Sequence, residues 1–209
     1  MQSQKIVLVG APLDCGKARK GCLMGPDAYR TAGIARALTA LGHRVTDLGN
    51  VAPDANDILE RDGLVNLSET IGWTTALMRS AQEAMQKGLP IFMGGDHALS
   101  LGTVPGVAAH AAQQDRPQFV LWLDAHSDFN TLETTASGNL HGTPLAYATG
   151  QSGFDGFPAL PAIVPPNQTC IIGLRSVDLP ERELMAGTGV HGYDMRAVDE
   201  SGVAALLRP

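Results

Sequence analysis

At 209 residues, with 44% apolar and 17% charged side chains, the chain suits one globular domain that buries roughly 70% of the surface its unfolded form exposes. A formal charge of −6 argues against a phosphate-backbone partner, so no nucleic-acid role is expected. The only N-terminal apolar run, Ile6 to Val9, is far too short for a leader core or a membrane span, which points to the cytoplasm and to no membrane partner.

In chain order, Lys5 to Ala11 reads as a strand and Pro26 to Leu41 as a helix, with Pro26 suited to a first turn and Gly42 to a helix end. A strand follows at Arg44 to Leu48. Asn66 to Lys87 carries apolar residues at Ile71, Met78, Ala81 and Met85 and predicts a long helix. Asn66 and Glu69 are spaced as its capping box, and Gly88 closes it. The runs 89–93, 119–123 and 169–174 are almost wholly apolar, as in strands of a parallel sheet covered by helices on both faces. Between Gly150 and Pro166 the Gly- and Pro-rich chain predicts a surface loop, and a last helix is expected near Val198 to Leu207. The fold class is therefore α/β, one domain over residues 1–209 with a central parallel sheet. Cys15, Cys22 and Cys170 are odd in number and lack metal-ligand spacing, so they read as idle thiols in a reducing compartment.

The chemistry concentrates at strand ends, where parallel sheets bind ligands. Phe119–Leu123 runs into Asp124-Ala-His126-Ser-Asp128, and in an extended segment alternate side chains share one face, so two carboxylates and an imidazole converge. Leu89–Met93 runs into Gly94-Gly-Asp-His97, which delivers a second histidine. A third cluster, Ser137-Gly-Asn139-Leu-His141-Gly, follows shortly after. Carboxylates with imidazoles and no thiolate favour a borderline-hard cation, for which Mn²⁺ is a natural candidate. Each residue also has a plainer role open to it: a structural histidine at 97 or 126, turn residues at Asn130, Ser137 and Asn139, and a helix start at Asp178. His43, His110 and His191 have no carboxylates around them and read as solvated or core histidines.

Gly94-Gly-Asp-His97, Asp124-Ala-His-Ser-Asp128 and Ser137-Gly-Asn-Leu-His141-Gly resemble the ureohydrolase family, and arginases most of all. Gly10-Ala-Pro-Leu-Asp14, Gly21-Cys-Leu-Met-Gly-Pro26 and Gly173-Leu-Arg-Ser-Val-Asp178 resemble it too, in the same order along the chain. The resemblance implies an arginase-like three-layer fold and manganese-dependent hydrolysis of the L-arginine guanidinium to L-ornithine and urea, by a hydroxide shared between two ions. It implies His97, Asp124, His126 and Asp128 as metal ligands, with Asp124 bridging and Asp128 also accepting from the hydroxide. His141 becomes a proton shuttle. Asn130, Ser137 and Asn139 are implied around the substrate α-carboxylate, and Asp178 and Glu181 near its α-ammonium, so L-arginine is expected over agmatine. Agmatinase and formimidoylglutamase are the other enzyme readings, and a non-catalytic scaffold or assembly partner is the alternative outside catalysis. A homo-oligomer is open.

Two departures qualify the resemblance. Ser176 stands where arginases often carry an aspartate. Ureohydrolases also continue into a strand bearing Ser-x-Asp-x-Asp, whose aspartates complete both metal shells, whereas this sequence stops at Arg208-Pro209. The expectation is an incomplete site that holds metal weakly or not at all, a 209-residue chain that is itself inactive because metal ligands are missing, missing C-terminal strands and an exposed sheet edge.

Overall fold

The computed structural model describes residues 2–207. Strand β1 (Lys5–Ala11) pairs in parallel with β2 (Arg44–Asn50) and β3 (Leu89–Gly94), giving the order β2-β1-β3. A second parallel trio has the order β4-β5-β6, from β4 (Val120–Leu123), β5 (Thr169–Leu174) and β6 (His191–Asp194). The middle strands are the most deeply buried. Val7, Leu8 and Val9 of β1 and Ile171 of β5 are fully buried, as expected where helices cover a strand on both faces.

The predicted first helix is two. Helices α1 (Gly25–Thr31) and α2 (Ile34–Ala40) are separated at Gly33, whose φ of 87° is left-handed backbone that glycine adopts without penalty. The long helix α3 (Leu67–Lys87) lies where predicted, and its face of Leu67, Ile71, Leu77, Met78, Ala81 and Ala84 packs inward with helical spacing. Its start differs from the predicted capping box. Asn66 is itself left-handed, at φ 50°, and its side-chain amide donates to the Cys15 carbonyl (3.0 Å) instead of capping the helix. Helix α4 (Ser100–Ala112) packs along α3, and a core of Leu13, Trp73, Leu77, Leu101 and Tyr147 fills the space between them and the sheet.

After α5 (Pro144–Ala148), the segment predicted as a surface loop does more than cover the surface. Phe154 and Phe157 pack on Tyr147 with ring centroids 5.2 Å away, and Val164 is fully buried, so this irregular stretch seals the core. Helix α6 is Leu179–Ala186. The predicted last helix is broken at Gly202 into α7 (Met195–Ser201) and α8 (Val203–Leu206). Cys15, Cys22 and Cys170 are unbridged, and burial pushes the Cys15 thiol up to about 12, as expected of an idle thiol.

Among the described residues β3 and β4 do not pair. They border one groove instead. Leu89 and Pro90 at the start of β3 line one groove with Phe119 and Val120 at the start of β4, while His97 beyond β3 reaches Asp124 beyond β4. The exposed sheet edge therefore lies inside the fold. Leu89, Phe119, Leu121 and Leu123 are 52%, 67%, 49% and 69% exposed along it. Apolar unpaired edges are templates for further strands. Substituting Phe119→Lys and Leu121→Lys together is expected to reduce concentration-dependent self-association of the chain in sedimentation velocity. Unchanged association would place the sticky surface elsewhere.

Candidate metal centre

The strand ends bring the predicted residues together. His97, Asp124, His126, Asp128, Asn130, Ser137, Asn139, His141, Asp178 and Glu181 all line one cleft of about 280 Å³, with Thr135, Gly142 and Ser176. Three connections build it: the turn after β3, the long irregular segment from β4 to α5, and the segment from β5 into α6.

The loop after β4 does not converge by the extended alternation that its sequence suggests. It bends over residues 124–126, and Asp128 is left-handed at φ 48°, a conformation sparsely populated outside glycine, asparagine and aspartate. Backbone bonds hold the bend. The Asp124 amide donates to the Ile172 carbonyl (3.2 Å), and the amides of Arg175 and Ser176 donate to the Ala125 carbonyl (2.9 and 3.0 Å). On the far side the Asp128 carbonyl accepts from Leu145 and Ala146 (3.0 and 3.3 Å).

His97, Asp124 and Asp128 form a compact donor set, with one ligand atom from each lying within 4.8 Å of the others. His97 Nδ1 is 2.7 Å from Asp128 Oδ2 and 3.3 Å from Asp124 Oδ2, and its ring stacks on Trp122 with centroids 4.6 Å apart. Close as it is, the ring N–H is misaligned with Asp128 Oδ2, which is buried without a hydrogen-bond partner among the described residues. A buried carboxylate oxygen beside an unaligned imidazole fits a shared cation better than a hydrogen bond. The site is strongly polarised. Burial draws the His97 pKa down, yet the Asp128 and Asp124 carboxylates outweigh it and leave the pKa raised. Burial acts to raise Asp124, and the His126 amide with the neighbouring imidazoles more than offsets it, so its pKa is lowered.

His126 stands outside this trio. It is exposed, and its Nδ1 lies 3.3 Å from Asp124 Oδ1, while Asp124 Oδ2 faces His97. The two carboxylate oxygens thus address histidines on opposite sides.

The remaining predicted residues are partly committed to the protein. Asn139 Oδ1 accepts from the Ala18 amide (2.9 Å), which leaves its NH₂ group for the cleft, and Ser137 Oγ accepts from the Asn139 amide (3.3 Å). Asn130 Oδ1 accepts from Thr134 (2.9 Å), and its NH₂ is a long 3.5 Å from Asp178. Asp178 sits at the N-cap of α6, so its helix-start role coexists with its place in the cleft. The His141 amide donates to the Gly16 carbonyl (2.9 Å), and burial lowers the pKa of its imidazole. Glu181 is buried and bonded inward through both oxygens. The plainer readings hold elsewhere: the Gln4 amide donates to His43, His110 meets Gln114, and His191 lies exposed on β6.

Three structural residues carried too little local signal to be singled out. Asp96 accepts from the amides of Gly16 (2.9 Å) and Ala98 (2.8 Å), fixing the turn that aims His97, and burial raises its pKa. An aspartate just before a strand-end histidine was the available cue. Trp122 and Ser127 had none, since their partners are distant in sequence. Gly16 is confined here, because a Cβ would lie 2.5 Å from Ala98 Cβ and 2.8 Å from Asp96 Oδ1. Gly16→Ala is expected to cost about 1–3 kcal/mol in urea unfolding through overpacking.

Similarity to known proteins accords with this geometry. The Arginase family model matches residues 4–209. The chain belongs to the arginase family. An arginase of Brucella melitensis is 55% identical over 204 residues, spanning 96% of this chain and 67% of the Brucella protein. The solved arginase of Bacillus caldovelox superposes with a TM-score of 0.83 at 35% identity, covering 97% of this chain and 69% of that one. An Entamoeba histolytica arginase solved with L-ornithine gives 0.83 at 27% identity, covering 99% and 70%. This arginase-family chain thus has the arginase α/β fold and spans about two thirds of the length of the relatives it matches.

Proposed function

We propose that the chain carries the metal-holding and substrate-orienting part of an arginase-type hydrolase that converts L-arginine to L-ornithine and urea. The observation that carries the reading is the His97–Asp124–Asp128 donor set, with a buried Asp128 oxygen 2.7 Å from the His97 imidazole, facing the same cleft as neutral amide and hydroxyl groups. Mixed oxygen and nitrogen donors without thiolate suit Mn²⁺, which His97, Asp124 and Asp128 would hold, whereas His126 and Asp124 by themselves are too few protein ligands to hold a second ion. When bound, such cations lower the pKa of a water towards neutrality and so supply a nucleophile.

The chain's own residues do the rest. The NH₂ groups of Asn130 and Asn139 and the Ser137 hydroxyl offer donors to an α-carboxylate, while the Asp178 carboxylate offers an acceptor to an α-ammonium. His141 is held by its amide at the cleft wall, and its lowered pKa keeps the imidazole largely neutral near pH 7, ready to take a proton and pass it to the leaving amine. Recognition at both ends of an amino acid selects L-arginine over agmatine, which lacks the carboxylate. Three unbridged cysteines accord with a cytoplasmic setting, and no described helix is long and apolar enough to cross a membrane.

Mn²⁺ titration followed by electron paramagnetic resonance, with L-arginine and agmatine binding measured by calorimetry, tests the reading. The expected result is one Mn²⁺ per chain, tighter binding of L-arginine than of agmatine, and slow or no urea release from a single three-ligand site. Equal binding of the two guanidines would remove the arginine assignment. Failure to take up Mn²⁺ would remove the metal reading.

A further inference from the structure

Glu181 lines the cleft, yet both oxygens of its carboxylate are bonded to the protein. Oε1 accepts from the Ser127 hydroxyl (2.6 Å) and the Phe129 amide (3.0 Å), and Oε2 accepts from the Asp178 amide (2.8 Å). The residue is 5% exposed, and its partners are neutral donors. A buried carboxylate tolerates that setting only when hydrogen bonds replace its water, and three donors from two loops do so. Its acceptor capacity is thus mostly spent on the protein.

The positions bound by Oε1 are the informative ones. Ser127 and Phe129 flank Asp128, the residue with left-handed backbone and the buried Oδ2 that lies 2.7 Å from His97 Nδ1. With the Asp128 carbonyl tied to Leu145 and Ala146 on the other side, the turn is gripped from both directions. We propose that Glu181 is a positioning residue for the metal loop rather than a substrate contact, its carboxylate bolting residues 127–129 to the start of α6 and thereby aiming the Asp128 side chain at His97. The metal half of this inference rests on the cation reading of the donor set, whereas the clamp itself does not.

Glu181→Gln and Ser127→Ala separate the alternatives. Glutamine keeps one acceptor oxygen and turns an NH₂ group on the remaining donors, and alanine at 127 removes one of the three bonds without altering any group that faces the cleft. Loss of an outer partner typically weakens a metal site 10- to 100-fold. E181Q is expected to raise the Mn²⁺ dissociation constant by about that factor, S127A by several-fold in the same direction, and neither to change L-arginine affinity at saturating Mn²⁺ more than about twofold. In amide hydrogen exchange without metal, peptides covering 124–130 are expected to exchange at least about tenfold faster in both variants while α3 and α4 keep their protection. A tenfold loss of L-arginine affinity with unchanged Mn²⁺ binding would make Glu181 a substrate contact and overturn the inference. So would unchanged exchange at 124–130, or a uniform loss of protection across the chain in both variants. If the unaltered chain takes up no Mn²⁺, the metal reading fails and the exchange pattern alone decides the clamp.

Discussion

Asp128→Asn is expected to weaken Mn²⁺ binding by more than about 100-fold, beyond the roughly 10- to 100-fold that follows loss of an outer partner, because it neutralises a ligand itself. Asparagine is the informative replacement. It is nearly isosteric and tolerates the left-handed conformation observed at φ 48°, so the turn at 128 persists and the loss reports charge and donor chemistry rather than a collapsed loop. Alanine would add backbone strain to the loss of the ligand and blur the two. Titration of Mn²⁺ into D128N, followed by electron paramagnetic resonance, checks the prediction. Thermal unfolding of the metal-free protein serves as the control, and a variant that binds Mn²⁺ within a few-fold of the unaltered chain would show that the cation, if any, sits elsewhere in the cleft.

The sequence made the strand ends legible because the signals there are local. The apolar runs of β3, β4 and β5 stop within a few residues of Asp96, Asp124 and Leu174, and the motif resemblance marked ten candidate residues that the fold gathers around one cleft. Local signals also misled. The alternation of Asp124, His126 and Asp128 implied an extended face, but the chain bends at 124–126 and adopts a left-handed turn at 128 that aspartate, unlike most residues, accepts cheaply. Asn66 and Glu69 matched a capping box by spacing, yet the Asn66 amide is taken by the Cys15 carbonyl, 51 residues away. Glu181 looked like a cleft acid because the two partners of its Oε1, Ser127 and Phe129, lie more than 50 residues upstream, although Asp178-Leu-Pro-Glu181 has the spacing of the capping box that its Oε2 completes. The division of the sheet between β3 and β4 was equally hidden, since apolar runs report burial but not which strand lies next to which.

Phe129→Ala is expected to cost about 3–5 kcal/mol of stability, a large share of the 5–15 kcal/mol that typically separates folded from unfolded domains. Phe129 is fully buried beside Trp122, Leu145, Ala146, Ile171 and Leu174, so its ring joins β4, β5 and α5 beneath the metal loop. Removing it leaves a cavity where the backbone is least free to collapse, because the neighbouring Asp128 carbonyl is bonded to α5 and the Phe129 amide to Glu181. The effect should therefore appear twice. Urea denaturation is expected to show the stability loss with an unchanged m-value, and Mn²⁺ affinity is expected to fall at temperatures where the fold still holds, since Trp122, which backs the His97 ring, belongs to the same core cluster as Phe129. A Phe129→Leu variant should restore most of the stability by refilling the space. Restored stability without restored Mn²⁺ affinity would mean that the ring itself sets the turn at Asp128. Recovery of both would make the volume beneath the loop the controlling feature, and so tie the packing of the β4–β5 core directly to the geometry of the metal ligands.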